Sequence, residues 1–376
     1  MRVHRFVGIA GALAVALLAP AAADAASYKP SVSVVASGLD NPRGVSVGYG
    51  GALVVAEAGK GGSGPCIESP EGGSVCLGAS GAITSVSADR RGRWSQRRIV
   101  SGLPSLATAS GTEATGPHHV SPYGEGDYVA TLGLGGNPQA RASLGRGGQL
   151  LGWTVVVDPH TRRPAVRRLA DLTAYEARRD PDKQGVDSNP YGVLGTRRGA
   201  VATDAGGNTL LDIDRRGRVS TLAVFPDRLV PAPPPPVGPG GEVPMQAVPT
   251  SVVRGPDGAY YVSQLTGFPF PVGGANVYRV VPGRGPTVFA RGFTNIIDLA
   301  FDRQGRLLVL EIAKNGLLSG DQTGALIRVD KRGRHTEIVP GRLTAPGGIA
   351  IGGDGAYYVT NRSVVAGAGE LLRIRA

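Results

Sequence analysis

The chain has little of what most catalytic frameworks need. In 376 residues it carries two cysteines and two tryptophans, and aromatic residues make up 5%. Cys66 and Cys76 lie in one Gly/Ser-rich loop, and no further soft ligand accompanies them, so a thiolate metal centre is excluded. In an exported chain the two are expected to pair and close a small loop. No Ser nucleophile sits on a strand–turn–helix elbow of the Gly-x-Ser-x-Gly type, and there is no phosphate-cradling loop and no dinucleotide fingerprint opening a helix. Helical periodicity is confined to one short stretch, 171–178. Past residue 25, no apolar run approaches the length needed to span a bilayer.

The one leader-like segment is at the start. Arg2 and Arg5 precede an apolar run over 6–18, and Ala23-Asp-Ala25 offers small residues for cleavage. Residues 1–25 therefore read as a signal peptide. The mature protein is expected to be secreted, soluble and monomeric, with no transmembrane segment.

Glycine is abundant, at 59 residues, which suits many tight turns. A motif recurs about six times along the chain: a Pro or Asn-Pro, an apolar run, a Gly turn, then an apolar-aromatic run. Asn41-Pro-Arg-Gly-Val45 leads to Gly50-Gly-Ala-Leu-Val-Val-Ala-Glu57, and Pro249-Thr-Ser-Val252 leads to Pro256-Asp-Gly-Ala-Tyr-Tyr-Val-Ser263. Asn295-Ile-Ile-Asp-Leu-Ala-Phe301 and Pro346-Gly-Gly-Ile349 open two further copies. Units of roughly 40–70 residues built of short strands are the mark of propeller blades. Cuts near Leu39, Pro104, Thr173, Val230, Thr294 and Thr344 give six units.

The sixth unit stops after Glu370-Leu-Leu-Arg-Ile-Arg375 and lacks an outer strand, whereas Ser31-Val-Ser-Val-Val-Ala-Ser-Gly38 precedes the first inner strand. The predicted fold is all-β, a single six-bladed β-propeller over 28–376, with the last blade closed by the N-terminal strand and a Pro-rich insertion at 231–244. Closure removes exposed sheet edges.

Loop lengths sort the two faces of such a ring. Turns between the first and second strands, and between the third and fourth, are short and Arg-rich. Long loops such as 59–80, 133–147, 264–275, 313–323 and 361–369 emerge together on the other face, where function is expected. The net charge of +11 then makes the short-turn face basic. That face would suit an anionic surface, or it is simply solvated. Nucleic acid is not expected, because few aromatics accompany the arginines.

Strand ends converging on the axis of the long-loop face nominate Glu57, His118, Asp187, Asn189, Asp204, Asn208, Gln264, Asp298, Glu311 and Asn361 as ligand-binding residues. Glu57, Asp204, Asp298 and Glu311 would make a hard, all-oxygen site for Ca2+. Alternatively, these groups cap strand ends and bond backbone of neighbouring strands. Of His118 and His119, alternation along a strand lets at most one face the axis.

Asp187-Ser-Asn-Pro-Tyr-Gly192, Thr203-Asp-Ala-Gly-Gly-Asn208, Met245-Gln-Ala-Val-Pro-Thr-Ser251, Leu265-Thr-Gly-Phe-Pro-Phe-Pro271, Thr294-Asn-Ile-Ile-Asp298 and Leu310-Glu-Ile-Ala-Lys-Asn-Gly316 resemble the ScyD/ScyE family of exported bacterial proteins. The resemblance spans nearly the whole mature chain. It implies kinship with propellers of NHL-repeat and gluconolactonase-like type. A second staple implied by cysteines near Arg362 and Val365 in relatives is absent here. Gluconolactonase-like enzymes hold a divalent metal with Glu, Asn and Asp on the axis. The matching positions after the Pro are Arg43, His118, Tyr191, Thr250 and Gly347, which argues against simple transfer of that chemistry. The leading expectation is a binding or accessory protein that presents its long-loop face to a small molecule or extracellular partner. The alternatives are a metal-dependent lactonase or esterase and a quinone-dependent sugar dehydrogenase.

Overall fold

Short apolar runs bounded by Gly, Pro and Asp become strands of four to seven residues through most of the chain. A computed structural model describes residues 30–69, 72–161, 165–233 and 240–376. The leader at 1–25 and the Pro-rich stretch at 234–239 lie outside the described residues. The strands form six small sheets arranged as a six-bladed propeller, plus one two-stranded hairpin, Arg228–Pro231 with Glu242–Met245. The inner strands of blades one to six are Pro42–Val47, Pro117–Tyr123, Pro190–Thr196, Pro249–Arg254, Ile296–Phe301 and Gly348–Ile351.

The sixth sheet runs Ser31–Leu39, Gly369–Arg375, Tyr357–Asn361, Gly348–Ile351 from rim to axis. The N-terminal strand pairs antiparallel with the C-terminal one, from Ser31 opposite Arg375 to Leu39 opposite Gly369. Apolar side chains pack mainly between blades. Val35, Leu39 and Leu371 of blade six bury against Val45, Leu53 and Val55 of blade one. Val54, Ala56 and Ile83 of blade one bury against Val120, Ala130 and Val155 of blade two.

At the hub, short polar side chains tie neighbouring blades. Ser46 Oγ donates to Val120 O at 2.6 Å, Thr250 Oγ1 to Ile296 O at 2.9 Å, and Thr360 Oγ1 to Arg43 O at 2.7 Å. Blade one is longer than the others. The strand Ser74–Ala88 extends outward to pair with Cys66–Glu68, setting Cys66 opposite Cys76, and the two form a disulfide. The extension buries Val75 and Leu77 against Leu134, Leu144 and Leu151 of the next blade's long loop.

The short turns repeat one device that the sequence reading did not resolve. In Asp89–Arg93, Asp214–Arg218, Asp302–Arg306 and Asp330–Arg334, the Asp Oδ1 accepts the amides two and four residues on. Its Oδ2 accepts the Arg Nε at 2.6–2.9 Å. Glycine precedes each of these arginines because φ there is +72° to +78°. Four arginines of the basic face are thereby paired with a carboxylate.

Because the core lies between blades, losing the closing strand should expose both blade six and blade one. A chain lacking residues 31–38 is expected to aggregate, or to melt at least ~10 °C below the intact chain, as read by scanning calorimetry and size exclusion. An unchanged melting temperature would contradict closure by this strand.

Candidate functional site

Each of the first five inner strands slips register near its start, between Pro42 and Val45 in blade one and equivalently in blades two to five. The slip turns the early residues toward the axis. Arg43, His118 and Tyr191 meet there as a packed layer. The rings of His118 and Tyr191 are 4.4 Å apart, and His118 Nδ1 lies 3.0 Å from Pro190 O. Arg43 Nη2 donates to Ala114 O at 2.8 Å. Tyr191 packs against Ile297 and Ile349 from the far side of the ring. Burial, with Arg43 adding repulsion, drives the His118 pKa down to about 3, so the imidazole is neutral.

A cavity of about 200 Å3 lies along the inner strands, lined by His119 and Asp298 together with apolar side chains such as Val47, Leu194, Val253 and Ile351. The last four sit near the short-turn ends of their strands. Asp298 is buried and accepts from Ser251 Oγ at 2.5 Å and from the amides of Ile349 and Leu299, both at 2.8 Å. Burial raises its pKa and lowers that of His119, while each favours the charged form of the other. Of the adjacent histidines, His119 lines the channel and His118 stacks in the hub.

The other axial candidates sit where second strands end, and their side chains hold backbone. Glu57 accepts from Asp40 N at 2.7 Å, Thr84 Oγ1 at 2.5 Å and Arg98 at 2.7 and 3.1 Å. Glu311 accepts from Thr294 N at 2.7 Å, and Asn361 Oδ1 from Thr344 N at 2.8 Å. Gln264 Oε1 accepts from Asn276 N at 3.1 Å. Three of these amides lie just before the inner strand of the same blade, so one device recurs in blades one, five and six. Glu57, Asp204, Asp298 and Glu311 thus belong to separate hydrogen-bond sets, and the structure does not gather them into one group of facing carboxylates.

Blade three is different. Asp204 accepts from Ser188 Oγ and Asn189 N, both at 2.6 Å. Asn208 donates to Asp182 Oδ2 at 2.9 Å and accepts Val248 N at 2.9 Å. Against this loop packs the helix Leu172–Arg179, N-capped by Asp171, whose carboxylate accepts from Ala174 N at 3.0 Å. Glu176 faces inward from its last turn. Among the described residues, only Glu176, Asp180 and Asp182 bring three or more ligating His, Cys, Asp or Glu atoms within 4.8 Å of one another. Asp187 and Asp204 are close enough to add to the field. Burial chiefly, then the charges of Asp204, Asp182, Asp180 and Asp187, push Glu176 up to about 8. The sequence reading found Asp187, Asn189, Asp204 and Asn208 but missed Glu176, Asp180 and Asp182. The available signal was Glu176 one turn before Asp180-Pro-Asp182, directly upstream of the Asp187 motif.

No family model and no curated protein matches the chain. Solved structures do. A putative oxidoreductase (glucose dehydrogenase) from Thermus thermophilus superposes with a TM-score of 0.53 at 19% identity, covering 92% of this chain and 100% of its own. A gluconolactonase from Xanthomonas campestris gives 0.51 at 10% identity, covering 92% and 90%. Regucalcin from Agrobacterium tumefaciens, described as a calcium-binding protein, gives 0.50 at 12% identity, covering 91% and 94%. These similarities establish the shared propeller fold. The finer ScyD/ScyE resemblance rests on the sequence strings alone. Among the described residues, no helix is long and apolar enough to cross a membrane.

Two predictions separate capping from ligation. Glu57→Ala leaves Arg98 and the Asp40 amide without their shared acceptor, and should cost ~3–5 kcal/mol in urea unfolding; a near-neutral effect would argue against the cap. Burial, with repulsion from Glu337, raises Glu311 to about 7, against the Thr294 amide and Lys314. A carboxyl raised on folding stabilises most at low pH and loses that contribution as pH rises from about 4.5 through about 7. Glu311→Gln keeps the acceptor for Thr294 N and removes the charge. Its melting temperature should fall less than the wild type's between pH 5 and 8, by an amount worth up to ~3 kcal/mol. Parallel pH profiles would contradict this.

Proposed function

We propose that this protein is an exported binding propeller that engages a macromolecular partner through apolar side chains on the long loops of blades four and five. One observation carries the reading. Phe268, Val272, Leu317 and Leu318 are 41%, 68%, 39% and 50% exposed, and Leu229 on the adjoining hairpin is 68% exposed. Their loops are nevertheless fixed by buried polar contacts. Asn295 Nδ2 donates to Leu265 O at 2.9 Å while its Oδ1 accepts Leu317 N at 3.1 Å, which locks the two loops together. Arg228 Nη2 donates to Gly274 O and ties in the hairpin. A Cβ on Gly316 would stand 3.4 Å from Val272 Cγ2, so the loops touch. Apolar groups held rigidly toward water mark an interaction surface. Exposure of this extent suits a partner surface better than an enclosed small ligand. The ScyD/ScyE resemblance is part of this reading, since the strings at 245–251, 265–271 and 310–316 fall on or beside these loops.

The second reading is a metal-assisted lactone or ester hydrolase, favoured by the fold shared with the gluconolactonase. It needs a cation that polarises a carbonyl beside a carboxylate base. The hub instead offers Arg43, His118 and Tyr191. A sugar oxidoreductase has support only from the fold shared with the Thermus protein.

The test is the triple substitution Phe268→Ser, Val272→Ser and Leu318→Ser. Wild type, immobilised and exposed to culture fluid of the producing cells, should retain a discrete partner, and the variant should lose it while melting within ~2 °C of wild type. Equal retention by both would remove the apolar loops from the binding surface. Turnover of simple lactones dependent on added divalent cation would favour the hydrolase.

A further inference from the structure

We propose that the connection between blades two and three holds a calcium ion, bound by Glu176, Asp180 and Asp182. The site precedes the first strand of blade three, and it does not rest on the binding function proposed for blades four and five.

Carboxylates cluster on many surfaces without consequence, so the argument turns on what is missing around these. Glu176 is 2% exposed and its Oε1 is shielded from solvent with no hydrogen-bond partner. Asp180 Oδ1 and Asp187 Oδ1 are likewise shielded and unpartnered. Leaving ionised oxygens buried without a partner is costly. Among the described residues, no ion pair reaches Glu176, Asp180, Asp182, Asp187 or Asp204. That is unexpected in a chain with 40 Lys and Arg against 29 Asp and Glu. The cations nearest in sequence turn elsewhere: Arg178 and Arg179 are exposed, and Lys183 Nζ donates to Arg179 O at 2.8 Å. Protonating Glu176 would relieve some repulsion but leave the Asp180 and Asp187 oxygens without a partner.

The backbone is shaped to admit these oxygens. A Cβ at Gly207 would stand 2.6 Å from Glu176 Oε2, and one at Gly206 would stand 2.9 Å from Asp187 Oδ1. Asp180 ends the helix in the left-handed region, φ +39°, with its amide donating to Glu176 O at 2.8 Å, which brings the turn back under the Glu176 side chain. The ligating oxygens lie within 4.8 Å of one another. Oxygens bound to calcium at ~2.3–2.6 Å can stand up to ~5 Å apart, so one ion can bridge them. With only oxygen donors the set is hard. It lacks the imidazole or thiolate that zinc sites use, and calcium tolerates the irregular geometry better than magnesium does.

The ion would join three segments that otherwise share few bonds: the end of the helix Leu172–Arg179, the Asp180-Pro-Asp182 turn and, through the neighbouring Asp187, the loop of blade three. Asn208 would relay this to blade four, bonding Asp182 on one side and Val248 N on the other. The site is distinct from the four-carboxylate axial set expected from the sequence. Asp204 alone borders both, and its oxygens already accept from Ser188, Asn189 and Gly207.

Purified protein, stripped with EDTA and freed of chelator, would be titrated with CaCl2 by calorimetry and melted with and without it. The expected result is one calcium per chain, with Kd in the ~10⁻⁴–10⁻³ M range of extracellular modules or tighter, and a rise in melting temperature of several degrees. Glu176→Gln and Asp182→Asn should each weaken binding at least ~10-fold. Without calcium, Glu176→Gln should melt at or above the wild-type temperature, because an amide there cannot add to the repulsion among the neighbouring carboxylates; this shows that lost binding is not lost folding. No heat and no thermal shift at ~10 mM CaCl2, an order above that range, would overturn the proposal. So would undiminished binding in the doubly substituted chain. An equal response to MgCl2 would overturn the assignment to calcium.

Discussion

The antiparallel pairing of Ser31–Leu39 with Gly369–Arg375 sets the geometry of everything else. No blade here buries its own apolar face; each is covered by the next, and the ring has no end blades only because this pair closes it. The cluster linking Val35, Leu39 and Leu371 to Val45, Leu53 and Val55 exists because of it. So does the hub contact in which Thr360 Oγ1 reaches Arg43 O, at a separation of 317 residues. Arg43, His118 and Tyr191 can form one layer only if blade one is held at its angle to blade six. Asp298 shows the same dependence, since it accepts from Ser251 in blade four and Ile349 in blade six.

A buried carboxylate at a strand end can bind a ligand or hold the chain, and here the two uses divide by blade. Glu57 and Glu311 point at amides shortly before their own inner strands, which would otherwise be left unsatisfied where the chain turns toward the hub. Asn361 performs the same task in blade six with no charge at all. A position that takes Glu, Glu and Asn in three blades needs an acceptor oxygen, and charge is incidental to it. In blade three this logic stops at Asp204. Its loop is met by the helix that follows the outer strand of blade two, and the extra carboxylates arrive with that helix.

The fold was legible because its signals are local and repeated. Gly turns, apolar bursts and the orphan strand Ser31–Leu39 each constrain the ring independently. The inner-strand starts and second-strand ends were placed correctly at one face, as the pairing of Pro42 with Glu57 and Pro249 with Gln264 shows. What the sequence could not convey was where each oxygen points. That depends on a register slip of one residue near Val45, His119, Val193, Val252 and Asp298, which leaves no compositional mark. The arginines of the short turns were equally ambiguous until Asp89, Asp214, Asp302 and Asp330 were seen folding back onto them. Glu176 escaped notice because it lies on a helical connection, where strand periodicity gives no guide to its facing.

The long-loop face is therefore not uniform, and its asymmetry bears on what the protein can do. Toward blade three it is acidic, unpaired and hydrogen-bonded through Asn208 to blade four. Toward blades four and five it is apolar and fixed by Asn295 and Arg228. Between them the hub is sealed by Arg43, His118 and Tyr191, all under 10% exposed. Axial chemistry would require a substrate to pass that layer or to enter from the short-turn side, where the cavity beside His119 and Asp298 is walled by aliphatic groups. A partner docking on the rim of blades four and five meets neither obstacle. The link from Val248 N through the Asn208 side chain to Asp182 then gives the acidic pocket a physical route to that rim, because ordering the helix–turn segment also fixes the start of blade four.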